Sequence, residues 1–251
     1  MTVGLLGYGR FGKLAARYIS QHADVVAYDP LHPPGSRGRR HTRFVSLAEA
    51  ASQRVLVLAV PVSVLEDVLR KSRPHVRPGA LVIDVCAVKS QPARWMKALL
   101  PRSVHILGTH PLLGPDSASR TLSGKTVILC PVRIPAPLLS RVKRILRRKG
   151  LITTVMSVGE HDRMAAETIF LTQYLGRMVG KAGLRRWPKV TFNYRNLLTL
   201  TDVAERDSFT LLADMARYSS RGERVVRALK RAQQDLDQKL HSSRPRRRGR
   251  Q

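Results

Sequence analysis

Apolar residues follow two rhythms along this chain, and the change between them falls near residue 157. Up to that point short continuous apolar runs alternate with stretches at helical spacing. Residues 2–6, 24–28, 54–60, 81–85, 104–107, 126–129 and 152–156 read as strands. Residues 13–21, 46–52, 62–71, 92–100 and 137–149 read as helices between them. Runs that are apolar throughout, rather than alternating, are those of strands buried on both faces. This alternation of strand and helix predicts an α/β domain with a doubly wound parallel sheet. From Gly159 onward the strand signal stops. Residues 160–181, 194–201, 207–219 and 223–240 keep a helical period, broken at Trp187-Pro188 and Arg221-Gly222. The pattern therefore predicts a sheet domain over 1–157, an all-helical C-terminal domain over 158–241, and a tail over 242–251.

The first strand runs into Gly7-Tyr8-Gly9-Arg10-Phe11-Gly12, and a helix follows at once. Gly7 suits the tight turn, Gly9 lets a phosphate approach the backbone, and Gly12 lets helix and strand pack closely. The helix start turns its N–H groups and positive dipole end toward a pyrophosphate. The next strand ends at Asp29-Pro30, where an acid can bond both ribose hydroxyls of an adenosine. A glycine turn alone says little. With the strand before it, the helix after it and the acid about twenty residues on, it predicts a Rossmann-type site for NAD. Arg37, Arg39 and Arg40 offer cations to a 2′-phosphate, which Asp29 would repel, so NAD is favoured and NADP stays open. Val60 and Pro61 end the strand over 54–60 at the carboxyl edge of the sheet, where ligands bind in such folds.

Composition adjusts this picture in one respect. Lys plus Arg number 45 against 17 Asp plus Glu, a net charge of +28. Such a surface attracts polyanions, but the basic residues are spread along the chain and aromatics make up only 5%. Stacking platforms for bases are scarce, so nucleic acid is expected only as a non-specific partner. The concentrated run 244–250 reads as a disordered basic tail. No apolar run reaches the roughly 20 residues of a membrane helix, and the N-terminal apolar residues read as the first strand rather than a signal peptide. Cys86 and Cys130 are too few for a disulfide framework or a cysteine metal site. A cytoplasmic enzyme without a metal is expected.

His110 is the residue the pattern offers for catalysis. It follows the strand over 104–107 within Gly108-Thr109-His110-Pro111, at the expected carboxyl edge. Removing hydride from a carbinol needs a group that takes the hydroxyl proton, and neutral imidazole suits that near pH 7. Lys89, at the end of the preceding strand segment, reads equally as a substrate-orienting cation or as a solvated lysine.

These residues resemble a known family. Gly108-Thr109-His110-Pro111-Leu112-Leu113-Gly114-Pro115-Asp116 is similar to the His-Pro-Met-Phe-Gly-Pro stretch of prephenate and arogenate dehydrogenases. Asp84-Val85-Cys86-Ala87-Val88-Lys89 resembles their Asp-Val-x-Ser-Val-Lys. Glu160-His161-Asp162-Arg163, Phe170 to Arg177, Tyr194 to Leu198 and Asp207-Ser208-Phe209 resemble the helical domain of plant-type members. The resemblance implies that hydride passes from C4 of a cyclohexadienol to NAD⁺, that His110 draws the hydroxyl proton, and that the ring carboxylate leaves as CO₂. It implies an anionic small-molecule substrate near Lys89, Thr109, Pro111, Gln173 and Arg195, and a homodimer through the helical domain. Three departures stand out. Ala87 replaces the family's Ser, Gln173 replaces a common His, and Thr199 stands near the place of a carboxylate-gripping Arg, with Arg195, Arg163 and Arg206 as other cations. Cys130 falls where plant-type arogenate dehydrogenases carry an acid, which favours prephenate. Two other readings compete: an imine or hydroxyacid reductase on the same scaffold, and a non-catalytic NAD-sensing or nucleic-acid-binding protein.

Overall fold

The first strand, β1 (Thr2–Leu6), leads through the glycine turn into α1 (Arg10–Ile19) and β2 (Asp24–Tyr28). The computed structural model describes residues 1–38, 42–114, 117–118 and 121–242. Arg39, Arg40, Pro115, Asp116 and the tail from 243 lie outside the described residues. β3 (Thr42–Phe44), α2 (Leu47–Ala51), β4 (Val55–Leu58), α3 (Val62–Ser72), β5 (Leu81–Asp84) and α4 (Ser90–Leu99) follow in order. β6 (His105–Pro111), β7 (Thr126–Arg133), α5 (Ala136–Arg148) and β8 (Ile152–Val155) complete the sheet. The strands lie in the order β3-β2-β1-β4-β5-β6-β7-β8.

The sheet is not parallel throughout, as the apolar runs predicted. β7 pairs antiparallel with β6, and β8 then runs parallel to β7. A parallel return needs a crossover, usually a helix, and no helix lies between β6 and β7 among the described residues. β3 is absent from the predicted strands because three residues show no periodicity. β6 is also longer than predicted, so His110 sits on a paired strand opposite Ile128 rather than on the loop beyond it.

Leu65 and Leu69 of α3, Met96 of α4 and the alanines of α2 pack against one face of the sheet. On the other face α1 covers β1 and β2, and α5 lays Leu138, Leu139, Val142 and Leu146 over Leu107, Val127 and Leu129. The second half is helical, as predicted: α6 (Val158–Ala165), one π-helical turn (Ala166–Phe170), α7 (Leu171–Lys181), α8 (Phe192–Arg206), α9 (Phe209–Tyr218) and α10 (Ser220–Ser242). Ala165, Phe170, Leu212 and Met215 join the same buried cluster as α3 and α4. Trp95 of α4 meets Tyr218 of α9 edge to face at 5.5 Å. The two halves thus share one apolar seam. No helix among the described residues is long and apolar enough to cross a membrane.

Candidate functional site

One register line organises the carboxyl edge. Tyr28, Leu6, Leu58, Asp84 and Gly108 are successive partners across β2, β1, β4, β5 and β6. The residues just beyond them are Asp29, Gly7, Ala59, Val85 and Thr109. With strands about 4.8 Å apart, the glycine turn and His110 are roughly 14 Å apart along this edge, three strand steps. A dinucleotide laid along it would have its adenosine end at β2 and its reactive end toward β6.

The glycine turn fits that occupant. Gly7 adopts φ +94°, donates its N–H to Tyr28 O at 2.9 Å, and would bring a Cβ to 2.5 Å from Ala59 O. A Cβ on Gly12 would overlap the carbonyl oxygen of Gly7, so α1 lies against its own turn. A Cβ on Gly9 would meet nothing within 4 Å, which leaves open space where a phosphate would lie. α1 begins at Gly9 without a side-chain cap and without an acid in its first turn, as an anion-accepting helix start requires. Phe11 is half-buried and Arg10 exposed.

Asp29 accepts the Tyr8 N–H through Oδ2 at 2.7 Å and the Leu31 N–H through Oδ1 at 3.0 Å. Its carboxylate is thereby oriented at the adenosine end, next to exposed Pro30. Tyr8 is buried and packs edge to face on Phe44 and His32, with ring centroids 4.9 and 5.5 Å away. Replacing Asp29 with Ser is expected to weaken NAD binding by about tenfold, the worth of a charge-assisted hydrogen bond, and to narrow the gap to NADP. Titrating both cofactors checks this; an unchanged NAD affinity removes Asp29 from the site.

Around His110 the chain gathers charge that sequence spacing concealed. His110 is 8% exposed, and its Nδ1 lies 2.8 Å from His161 Nε2. His161 Nδ1 lies 2.9 Å from Asp162 Oδ1. Asp162 accepts the backbone N–H of Lys89 at 2.7 Å and of Ser90 at 2.9 Å. It therefore caps α4 from another element, and the positive end of α4 favours its charge. Ser157 and Glu160 form a capping box that starts α6 and fixes His161 and Asp162 in its first turns. Burial raises the Asp162 pKa, but hydrogen bonds from His161, Ser90 and Lys89 outweigh it and hold the carboxyl below its usual range. Burial, then His161 and Lys89, holds His110 well below the ordinary histidine value of 6.5, against the pull of Asp162.

The other residues named from sequence fall in different places. Lys89 is a correction: it is completely buried and its ammonium pairs with the equally buried Asp84. As placed it neither faces solvent nor presents a cation to the cleft. Thr109 turns its hydroxyl back to donate to Asp84 O at 2.7 Å, and half-buried Pro111 closes β6. Val60 accepts the Cys86 thiol through its carbonyl at 3.8 Å, and exposed Pro61 opens α3. Gln173 is engaged within the helical half: its Nε2 donates to Asp207 Oδ2 at 2.7 Å. Arg10 donates to the same carboxylate at 3.1 Å and to Arg206 O at 2.8 Å, tying the glycine turn to the end of α8. Arg195 stands exposed on α8, and no hydrogen bond or ion pair described joins it to His110. His161 and Asp162 were missed as site residues. Their signal, a His-Asp pair opening a helix, carries no hint of His110, 51 residues away.

Comparison with known proteins decides the family. The profile described as "Prephenate dehydrogenase, nucleotide-binding domain" matches residues 37–169, from Arg37 through β6 and α6. The chain belongs to the prephenate/arogenate dehydrogenase family. That is a family of NAD-linked oxidoreductases. The match takes in Asp84, Lys89, His110, His161 and Asp162 and begins after the glycine turn. "Arogenate dehydrogenase 2, chloroplastic" of Arabidopsis thaliana is 28% identical over 256 residues, 96% of this chain and 71% of that protein. "Arogenate dehydrogenase 1, chloroplastic" of the same plant is 30% identical over 259 residues, again 96% of this chain but only 40% of that one. Among solved structures, prephenate dehydrogenase from A. aeolicus, in complex with hydroxyphenyl propionate and NAD⁺, superposes with a TM-score of 0.73 at 19% identity. It covers 96% of this chain and 91% of that one. Synechocystis arogenate dehydrogenase gives 0.66 at 19% identity with the same coverage. At such identities the structural likeness establishes the fold of a family member, a Rossmann-type sheet with a helical second half.

Proposed function

We propose that this protein oxidises prephenate with NAD⁺ and releases CO₂, forming 4-hydroxyphenylpyruvate, and that His110 is its proton acceptor. The observation that carries this is a buried imidazole, held neutral, three strands from an open glycine turn in a chain of this family. Bound NAD⁺ supplies the hydride acceptor. His110 Nε2, the nitrogen not engaged with His161, takes the proton from the C4 hydroxyl as C4 gives up its hydride. The ring carboxylate then leaves as CO₂, its electron pair enters the ring, and the proton returns to the phenolate oxygen. Aromatisation drives the step, so the chain's contribution is alignment and placement of charge.

Preference for prephenate over arogenate rests on the carboxylates. Arogenate carries an ammonium where prephenate has a keto group, and an unpaired buried ammonium is costly. Asp84 is sealed against Lys89, and Asp162 is occupied by two backbone N–H groups and His161. Cys130 is buried and its thiol is pushed up to about 12 by burial, so it stays neutral. These bonds engage the carboxylates of Asp84 and Asp162, which favours a keto group over an ammonium beside His110. The names of the plant relatives favour the second reading, arogenate as substrate. Measuring kcat/KM for both with NAD⁺ separates them: the prephenate value is expected to be higher, and a clear excess for arogenate reverses the assignment. Failure to oxidise either rejects the function.

The base also sets the pH profile. A histidine whose pKa is lowered stays neutral, and so competent, below the usual 6.5. The acid limb of kcat/KM is therefore expected well below pH 6.5, not at it. The same shift acts on folding: the unfolded chain binds this proton more readily, so the contribution is complete above 6.5 and is lost as pH falls toward the folded value. Exposed Met178, Leu184, Trp187 and Phe192 on and between α7 and α8 support a homodimer through the helical half.

A further inference from the structure

The hydrogen bonds behind His110 fix where its proton sits. Asp162 is ionised and can only accept, so the proton on the 2.9 Å bond belongs to His161 Nδ1. His161 is fully buried, and both its ring nitrogens are engaged, Nδ1 with Asp162 and Nε2 with His110. With that one proton on Nδ1 its Nε2 is bare, and the 2.8 Å contact then has His110 donating its Nδ1–H. That leaves His110 Nε2 bare, with its lone pair free for a substrate hydroxyl. A protonated His161 would reverse the pair: it would donate through Nε2, leaving His110 as the Nε2–H tautomer, a donor rather than a base.

We propose that His161 and Asp162 are positioning residues that hold His110 as the Nδ1–H tautomer and so keep Nε2 as the proton acceptor. When Nε2 takes the proton, the Nδ1–H of the new imidazolium remains donated to His161, and the Asp162 charge stands behind it. No proton leaves through the relay, and the substrate's proton returns from Nε2 to the phenolate oxygen. This rests on the proposed role of His110, and its test is separable from that role.

The direct test is the imidazole ¹⁵N chemical shifts of the full-length labelled protein with NAD⁺ present, His110 being assigned by its loss in His110→Asn. The expected signature is a protonated Nδ1 and a bare Nε2. His161→Leu removes the acceptor. It is expected to lower kcat by about tenfold or more, within the range for acid–base groups, with KM for NAD⁺ nearly unchanged and the Nδ1–H signature lost. His161→Gln places a carbonyl oxygen near the position of Nε2 and is expected to keep the tautomer and recover most of the turnover. A wild-type His110 carrying its proton on Nε2 overturns the proposal. So do Leu and Gln variants that turn over alike. The wild-type spectrum decides the matter even where the Leu variant does not fold. If neither prephenate nor arogenate is consumed, the proposed function fails while the tautomer is still read.

Discussion

Replacing His110 with asparagine is expected to lower turnover by about a hundredfold or more, the range for loss of a general base, while NAD still binds. A hundredfold corresponds to about 2.7 kcal/mol of transition-state stabilisation. The amide of asparagine can still donate toward His161 Nε2, so the buried contact at 2.8 Å keeps a donor and the strand keeps its place. What is lost is a nitrogen that can carry a proton. The glycine turn lies three strands away and does not touch His110, so cofactor affinity is expected within about twofold of the parent. Steady-state turnover and a cofactor titration on the same preparation check both halves. An asparagine variant as fast as the parent means that the proton goes elsewhere.

The largest expected effect on stability lies one strand over. Lys89→Met removes the partner of a carboxylate that has no exposure at all. Breaking a buried ion pair from one side costs about 3–5 kcal/mol, because the remaining charge is left without compensation. Asp84 has little relief available. Its Oδ1 also accepts the Cys86 N–H at 3.0 Å, and the Gly108 backbone is close enough that an added Cβ would sit 3.3 Å from Oδ2. Urea unfolding should show the loss as a lower midpoint with the slope unchanged. Asp84→Asn combined with Lys89→Met should recover most of it. Equal stability of the single and double variants would mean that the pair carries no coupling energy.

Local features of this fold were legible, and features made by distant strands were not. Strand, glycine turn, helix and Asp29 follow one another within thirty residues, and each is set by its neighbours. His110 stood out through its place in Gly108-Thr109-His110-Pro111 after an apolar run, although a lone histidine there is more often plain surface, and the structure puts it on β6 itself. Its partners were hidden, since only the topology of β6 and α6 brings His161 and Asp162 against it. Lys89 was misread for a related reason. A lysine just past a strand looks solvated, and it is buried here beside Asp84 and the backbone of β6. The reversal of β7 was marked only by the missing helix between the runs 104–107 and 126–129, since a run buried on both faces reads the same in either direction.

Three helices begin close to the edge where a dinucleotide would lie, and they differ in what meets them. Asp162 stands on the first N–H groups of α4, and Asp214 of α9 accepts from the Ser63 N–H and hydroxyl at the head of α3. A carboxylate at a helix start spends the half-charge there and turns away a second anion. Among the described residues α1 alone of the three begins with no carboxylate hydrogen-bonded to the N–H groups of its first turn. A polyphosphate reaching this strongly basic protein is refused at two doors before it is received at the third. The helical half thus supplies the charges that set two of these helix starts apart from α1, and neutralising Asp162 or Asp214 is expected to leave those starts more attractive to an anion.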